Sequence, residues 1–376
     1  MLQIEFARGE PALQRLRQEW EALYDALPRR YHAQSHACVV QQLRCLESDA
    51  QAVQIAVVRD RGIAVAMVPM HESPIRTGPF AIRRWSLLWS PHATLCPLLV
   101  APSVRTQDLL EQLVMALAAG SSGCDQLLLP SMLDGEAWAG VRGWAGTRLI
   151  LAEPSRPSMR FDTTSPDSAL ASASSHFRQN LARQRRKLAA LGRMELEISV
   201  GAEAQGAAFE AFLEVESSGW KGENGTASAI RLHPRLRDFY AGLIEALQGR
   251  QQVWIVVLRL DGRAVAANYC IRTDDTVAVL KIGYDESLRQ VAPGNVLLAM
   301  LLEACEQDPS ICSVSLVTGP AWAERWRPNE VDVHRLMVFA PTLRGRTLHA
   351  LTRARRALRK WRQQRDARRV RAPQTV

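Results

Sequence analysis

The most organised hydrophobic pattern in the chain runs from residue 277 to residue 304. Apolar positions first alternate, which predicts a strand with Val277 and Val279 on one face and Ala278, Leu280 and Ile282 on the other. A polar turn containing Pro293 and Gly294 follows, and then Leu297, Leu298, Leu301 and Leu302 recur at helical spacing. Around this centre the pattern predicts a mixed α/β fold. Residues 2–6 alternate as a strand, 11–27 and 35–46 read as helices, and 53–58 and 63–69 read as strands joined by a tight hairpin at Arg59-Asp60-Arg61-Gly62. Strands near 82–89 and 95–100, a helix over 107–118 and a buried strand at 126–129 complete a first group. The second group has strand 158–162, helix 176–191, strand 194–199, helices 204–217 and 234–247, and an antiparallel meander over 253–260, 265–271 and 277–283. It closes with strand 311–317 and a last strand at 334–339.

Punctuation divides these groups. The two prolines of Glu153-Pro154-Ser155-Arg156-Pro157 disfavour regular structure and mark a boundary. A length of 376 residues favours two domains, read here as 1–153 and 158–340, with a helical tail over 341–376. Seven Ser or Thr among the thirteen residues 163–175 predict a loop, with Ser174 or Ser175 as the cap of the next helix. The alternative that no helix-start glycine loop serves the first domain is supported by Ala101-Pro102-Ser103 before helix 107–118, so that domain is expected to be structural or substrate-shaping.

Composition narrows the class. Hydrophobic content of 47% and charged content of 23% describe a globular protein with ample core. The seven cysteines, Cys96 among them, form no C-x-x-C pair and lie mostly in apolar runs, as reduced residues of a cytosolic protein do. The histidines show no metal spacing, so no metal is expected; no apolar run approaches a membrane span, and the N-terminus reads as a strand, which implies a cytoplasmic location. The net charge of +9 is not spread evenly. Twelve Lys and Arg against the single acid Asp366 lie from Arg344 onward, leaving 35 basic and 37 acidic side chains in the rest. Leu348, Leu351, Ala354, Leu358 and Trp361 share one face of that tail, which describes an interfacial amphipathic helix with an Arg-rich polar face. Peripheral contact with an anionic membrane, or with a membrane synthase, through 344–371 is the expected partner; packing on the body and RNA contact are the competing readings, RNA the weakest.

The strand, turn and helix of residues 277–304 have the form of an anion site. The first amides of a helix lack intrahelical partners and its N-terminus is partly positive. A phosphate over the amides of Gly294, Asn295 and Val296 is therefore expected, with an ordinary strand-to-helix connection as the alternative. The run Arg289-Gln290-Val291-Ala292-Pro293-Gly294 resembles the acyl-CoA pyrophosphate loop of GNAT-type acyltransferases, with Ala292 in place of the first glycine. Together with Gly219-Trp220-Lys221-Gly222, Lys281 and Tyr284-Asp285-Glu286, it resembles the cellulose-biosynthesis acetyltransferase-like group named CelD or BcsL, whose layout is similar to that of the FemABX transferases with two GNAT-like domains in tandem. The resemblance covers roughly residues 10 to 340.

It implies tandem GNAT-like domains, acetyl-CoA or another acyl-CoA as co-substrate, no metal, a small-molecule or glycan acceptor, and a role in polysaccharide or cell-envelope assembly. Acyl transfer to an amine or hydroxyl needs a carrier site, an oxyanion donor and a base. The expected base is Asp285 or Glu286 and the expected acid Tyr284; the carrier site comprises Arg289, Ala292, Gly294, Asn295 and Val296. Arg178, first in an Arg-rich helix, and Trp220, Lys221 and Lys281 are expected at the substrate. Regular alternation would put Lys281 with Val277 and Val279, away from Tyr284. Two other classes stay open: an aminoacyl-tRNA-dependent transferase of FemABX type, and a non-catalytic scaffold or regulatory protein.

Overall fold

Among the described residues, nine strands and three helices come first: β1 (Gln3–Arg8), α1 (Gly9–Asp25), α2 (His36–Cys45), β2 (Gln54–Asp60), β3 (Ile63–Glu72), β4 (Ile75–Thr77), β5 (Phe80–Ile82), β6 (Arg84–Leu87), β7 (Leu99–Val100), α3 (Thr106–Ala119), β8 (Gln126–Leu133) and β9 (Ile150–Pro154). Then follow β10 (Ser158–Asp162), α4 (Ser175–Ala189), β11 (Met194–Val200), α5 (Ala207–Ser217), α6 (Pro234–Ala246), β12 (Gln251–Leu260), β13 (Arg263–Thr273), β14 (Thr276–Tyr284), α7 (Pro293–Glu306), β15 (Ser313–Ser315), β16 (Asn329–Val331), β17 (Val333–Phe339) and α8 (Leu343–Arg371). This is a computed structural model, and it describes residues 2–77, 80–95, 98–133, 149–165 and 169–371. Cys96, two residues of the strand expected at 95–100, residues 166–168 of the Ser/Thr-rich loop and the last five residues of the tail lie outside the described residues.

The fold is a mixed α/β arrangement built on two main, largely antiparallel sheets that are organised alike. The first has the order β1-β2-β3-β6-β8-β17-β9, with β7 beside β3; the second has the order β11-β12-β13-β14-β15-β10-β16. In each, two helices intervene between the first and second strands, and a helix precedes the strand that pairs in parallel with its neighbour, β8 with β6 and β15 with β14. The hairpins repeat too. Arg61 and Gly62 in one, Asp261 and Gly262 in the other, all have positive φ, the geometry that lets a two-residue turn follow strand twist. Both hairpins carry a bulge just after the turn, at Val65 and Val265, and Arg59 and Arg259 each donate to the turn carbonyl, Gly62 O at 3.3 Å and Gly262 O at 3.1 Å.

One sixth-place strand is exchanged. Residues 333–339, expected inside the unit 158–340, instead pair with β8 and β9 in the first sheet. Their pattern of Val333, Leu336, Val338 and Phe339 fills the core of that sheet, and β10, which opens the second group, takes the matching place in the second sheet. A short strand is read correctly from alternation, but the sheet it joins depends on a partner far away in sequence.

Helix starts follow local chemistry. Ser35 Oγ accepts from Cys38 N–H and Ser174 Oγ from Phe177 N–H, each at 3.2 Å. The second sheet is covered on both faces. Against one lie α4 and α7 with Val277, Val279, Leu297 and Leu301; against the other lie α5 and α6 with Phe212, Tyr240 and Tyr269. Fully burying one such side chain contributes roughly 1.5–3 kcal/mol. Helix α2 joins that second cluster through Cys38, so the two halves share core. The six described cysteines are unbonded, no group of described residues could hold a metal, and no described helix is long and apolar enough to cross a membrane.

Candidate active site

The site is made where two neighbouring strands part. β14 pairs with β15 only through Thr276, Val277 and Ala278. β15 then leaves, because Val317 sits at φ 60°, a conformation that a β-branched residue avoids, while Leu316 N–H turns to Met159 O at 2.8 Å. From Val279 onward the edge of β14 facing β15 is open. A cleft of about 360 Å³ fills the gap, lined by Val279, Ile282 and Tyr284 of β14, by Asn295 and Leu298 of α7, and by Leu316.

A bulge decides which side chains see this cleft. The β13–β14 register steps from Tyr269↔Lys281 to Cys270↔Val279, so Leu280 is the extra residue. The alternation expected from the sequence therefore reverses beyond it. Ile282 and Tyr284 join Val277 and Val279 on the α7 face, whereas Leu280 packs on the opposite face. Lys281 goes with Leu280, its amine 6.0 Å from the centroid of Tyr240. Burial and the neighbouring Lys221 ammonium push its pKa down to about 8, against the attraction of Glu216. Lys281 and Tyr284 are indeed apart, but for a different reason than a regular strand.

The turn into α7 is tighter than the sequence suggested. Ala292 is left-handed, φ 46° and ψ 58°, in the place where the resembling motif has glycine. Asn295 and Val296 N–H groups already donate to Ala292 O, at 3.0 and 3.2 Å, and the Val296 side chain is fully buried. Of the three amides expected to cradle a phosphate, that leaves Gly294, the second residue of the helix, whose N–H has no intrahelical acceptor. A Cβ on Gly294 would come to 3.4 Å from the Tyr284 ring, so the backbone here forms cleft floor. Arg289 and Arg325, both exposed, and Trp322 complete the rim.

The opposite wall is the loop 218–229, held by its own backbone: Gly222 N–H to Gly219 O at 2.8 Å, Thr226 N–H to Trp220 O at 2.7 Å and Ala229 N–H to Lys221 O at 2.9 Å. A Cβ on Gly225 would overlap the Trp220 carbonyl, which is why glycine stands there. Trp220 is 56% exposed and lines the cleft, so it is a wall rather than a core plug. Lys221 Nζ bridges Ile282 O at 2.8 Å and the buried Glu216 carboxylate at 3.0 Å, and lies 5.7 Å from the Trp220 ring. The other Glu216 oxygen accepts from Ile230 N–H at 3.0 Å. Helix α5 can approach this closely because Gly283 has no side chain: a Cβ there would be 2.6 Å from Glu216 Cα.

The paired acids behave differently. Glu286 lines the cleft and accepts from Trp220 N–H at 3.1 Å. Asp285 does not line it. Its Oδ1 accepts from the amide and hydroxyl of Ser287, at 2.9 and 2.7 Å, and its Oδ2 pairs with Arg263 at 2.9 Å. Burial would raise its carboxyl, but Ser287 and Arg263 outweigh that and hold it below the usual range. Asp285 is a cap, poorly suited to take a proton. Arg178 is likewise spent locally, donating to Ala171 O at 2.7 Å and Ala173 O at 2.8 Å, where it ties down the loop ahead of α4.

Residues the pattern did not single out also line the cleft. Asn268 is 3% exposed, sits opposite Ile282 on β13 and makes no side-chain hydrogen bond among the described residues. A lone Asn in the apolar run Val265–Ile271 was its only signal. Glu216 had a similar one, an acid at the end of the apolar helix α5.

Comparison with known proteins bears on the fold that carries this cleft. The profile of the acetyltransferase (GNAT) domain family matches residues 175–327. No curated protein matches the chain in sequence. Among solved structures, a tandem GNAT protein from the clavulanic acid biosynthesis pathway is similar at 14% identity and TM-score 0.51, over 89% of this chain and 98% of that one. FemX is similar at 9% identity and TM-score 0.56, over 92% and 99%. The C-terminal domain of a putative lysylphosphatidylglycerol synthetase from Agrobacterium fabrum is similar at 13% identity and TM-score 0.53, over 89% and 95%. At these identities the likeness is one of fold. Residues 175–327 thus resemble the acetyltransferase (GNAT) domain, and the chain has a GNAT fold that the tandem GNAT protein shares along nearly its whole length.

Proposed function

We propose that the chain is an acyltransferase that moves an acyl group, acetyl in the first instance, from acyl-CoA to an amine or hydroxyl acceptor. The open edge of β14 beside the first turn of α7 carries this reading. An unpaired strand edge offers backbone donors and acceptors to an extended, amide-bearing arm, as a strand would. The Gly294 amide, with Arg289 and Arg325 at the rim, suits the pyrophosphate. Asn268 suits the donor as well: it lines the cleft and makes no side-chain hydrogen bond among the described residues, so its amide can donate to a ligand oxygen.

Acyl-CoA supplies an activated thioester; the side chains supply position and proton transfer. Asn268 donates to the thioester oxygen as it gains charge, Glu286 takes the proton of the attacking acceptor, and Tyr284 protonates the departing sulfur. Trp220 and Lys221 shape the wall against which the acceptor lies. A place in polysaccharide or cell-envelope assembly rests on the sequence resemblance to the CelD/BcsL group, and a station at the inner face of a membrane rests on α8. A FemABX-like transfer from charged tRNA is the second reading, favoured by the exposed Arg183, Arg186 and Lys187 on α4, which packs against α7.

Thermal unfolding in the presence of acetyl-CoA, a longer acyl-CoA, charged tRNA or buffer tests the choice. A ligand at a hundredfold excess over its Kd stabilises by about 2.7 kcal/mol. Acetyl-CoA is expected to raise the transition. A shift with charged tRNA alone would replace this reading with the second, and no shift with any donor would leave a non-catalytic scaffold.

A further inference from the structure

The backbone hydrogen bonds of β14 decide which groups its open edge presents. Asp285 N–H donates to Val265 O at 2.9 Å, and these two residues stand opposite each other at the end of the β13–β14 ladder. Backbone groups along an antiparallel pair alternate between facing the partner strand and facing away. Those of Ile282 and Tyr284 therefore face the side that β15 has left. One of them is already capped. Lys221 Nζ reaches over from the loop 218–229 and donates to Ile282 O at 2.8 Å, on the residue directly opposite Asn268. Lys221 is itself held in place: Glu216, its side chain 2% exposed, pairs with it at 3.0 Å and accepts from Ile230 N–H at 3.0 Å. An ammonium has three N–H groups, and the contacts to Ile282 O and Glu216 leave one for the cleft that Lys221 lines. Charge is out of balance here as well. Lys281 is repelled by Lys221 and attracted by Glu216, so two amines share one buried carboxylate.

We propose that Lys221 is a catalytic residue whose remaining N–H donates to the thioester oxygen of the donor, beside Asn268, and that Glu216 is the residue that positions it. As the acceptor attacks, the electron pair of the C=O π bond moves onto that oxygen, and the ammonium meets the charge where it forms. The pair returns as the C–S bond breaks, and Lys221 keeps its proton throughout. The developing negative charge also offsets the excess positive charge around Glu216, so the contact is stronger in the transition state than with the thioester at rest. Capping Ile282 O has a second effect. An extended arm that follows the β14 edge from Gly294 finds that carbonyl taken, so its pairing stops there and the reactive carbon halts between Lys221 and Asn268. The assignment rests on the acyl-CoA reading of the cleft.

Acetyl-CoA carries the thioester oxygen and CoA does not, so comparing the two isolates the contact. Both are titrated by calorimetry into the full unaltered chain and into the double variant Lys221→Met/Glu216→Gln, which leaves neither charge of the pair behind. The preference for acetyl-CoA over CoA is expected to fall about tenfold in the variant. A purely structural role would weaken both ligands alike. In the unaltered chain, the nitrogen resonance of Lys221 Nζ is expected to differ between the acetyl-CoA and CoA complexes. An unchanged preference, or one Nζ resonance common to both complexes, would overturn the proposal and leave the donor site standing. No binding of either ligand to the unaltered chain would overturn the acyl-CoA reading and this assignment with it. If the variant unfolds, the Nζ resonance of the unaltered chain still decides.

Discussion

Two residues at the cleft or just behind it work against stability, Ala292 by its backbone conformation and Lys281 by its burial. Ala292 is left-handed, which costs an L-residue roughly 1–2 kcal/mol relative to the right-handed form and costs glycine almost nothing. Ala292→Gly is therefore expected to raise the unfolding free energy by about 1 kcal/mol, read by denaturant titration; an unchanged or lower midpoint would show that the strain is absorbed elsewhere. Lys281 is the second. Its folded pKa of about 8 lies below the ordinary 10.5, so between those values the unfolded chain binds a proton that the folded chain does not. Stability should rise with pH across that window, and the full penalty applies below about pH 8. Lys281→Met should abolish that rise and stabilise the protein at pH 7 by ~1–3 kcal/mol, whatever it does to turnover. At this scale the sequence told part of the story. Ala292 was legible as a missing glycine, but not its φ. The side on which Lys281 falls was misjudged, because the bulge at Leu280 comes from how β13 and β14 pair and leaves no mark in the alternation.

Elements were read more faithfully than side chains. The helix and strand periods of residues 2–133 and 158–339 recur in the structure with boundaries moved by a few residues, since periodicity reflects burial directly. Two expected strands shrink. Of 95–100 only Leu99–Val100 is strand among the described residues, and of 311–317 only Ser313–Ser315, the lost residues of the second being those that open the cleft. The short strands β4, β5, β9 and β16 have no counterpart in the pattern. Helix α8 shows what pattern alone leaves open. Its early turns are fastened to the first sheet: Leu348 packs with Phe339, and Arg356 pairs with Glu153 at 2.6 Å. Leu351, Leu358 and Trp361, from the same predicted stripe, are 47%, 46% and 54% exposed among arginines. Packing and an exposed apolar stripe thus divide one helix. Each basic residue near an anionic surface is worth about 1 kcal/mol. Flotation with anionic vesicles at low salt is expected to recover the full chain and to lose it when residues 350–376 are removed; equal recovery of both would remove the membrane role.

At the scale of the molecule, the exchanged strand binds the halves together. β17 ends the second group yet sits between β8 and β9, Arg30 reaches Asp274 and His92 Nδ1 meets the Tyr240 hydroxyl at 3.0 Å. A fragment of residues 1–157 would leave β8 and β9 without their shared neighbour, so it should not fold alone; a cooperative unfolding transition from that fragment would contradict the exchange. The central claim is that an acyl-CoA lies along β14 and over Gly294, and it is tested most directly by titrating acetyl-CoA into the unaltered chain and into Gly294→Trp, with circular dichroism to show that the variant is folded. The account predicts saturable binding to the first and binding weaker by a factor of about 10 or more in the second, a loss of ~1.4 kcal/mol or greater. Equal affinity in a folded Gly294→Trp protein, or no binding to the unaltered chain, would contradict it.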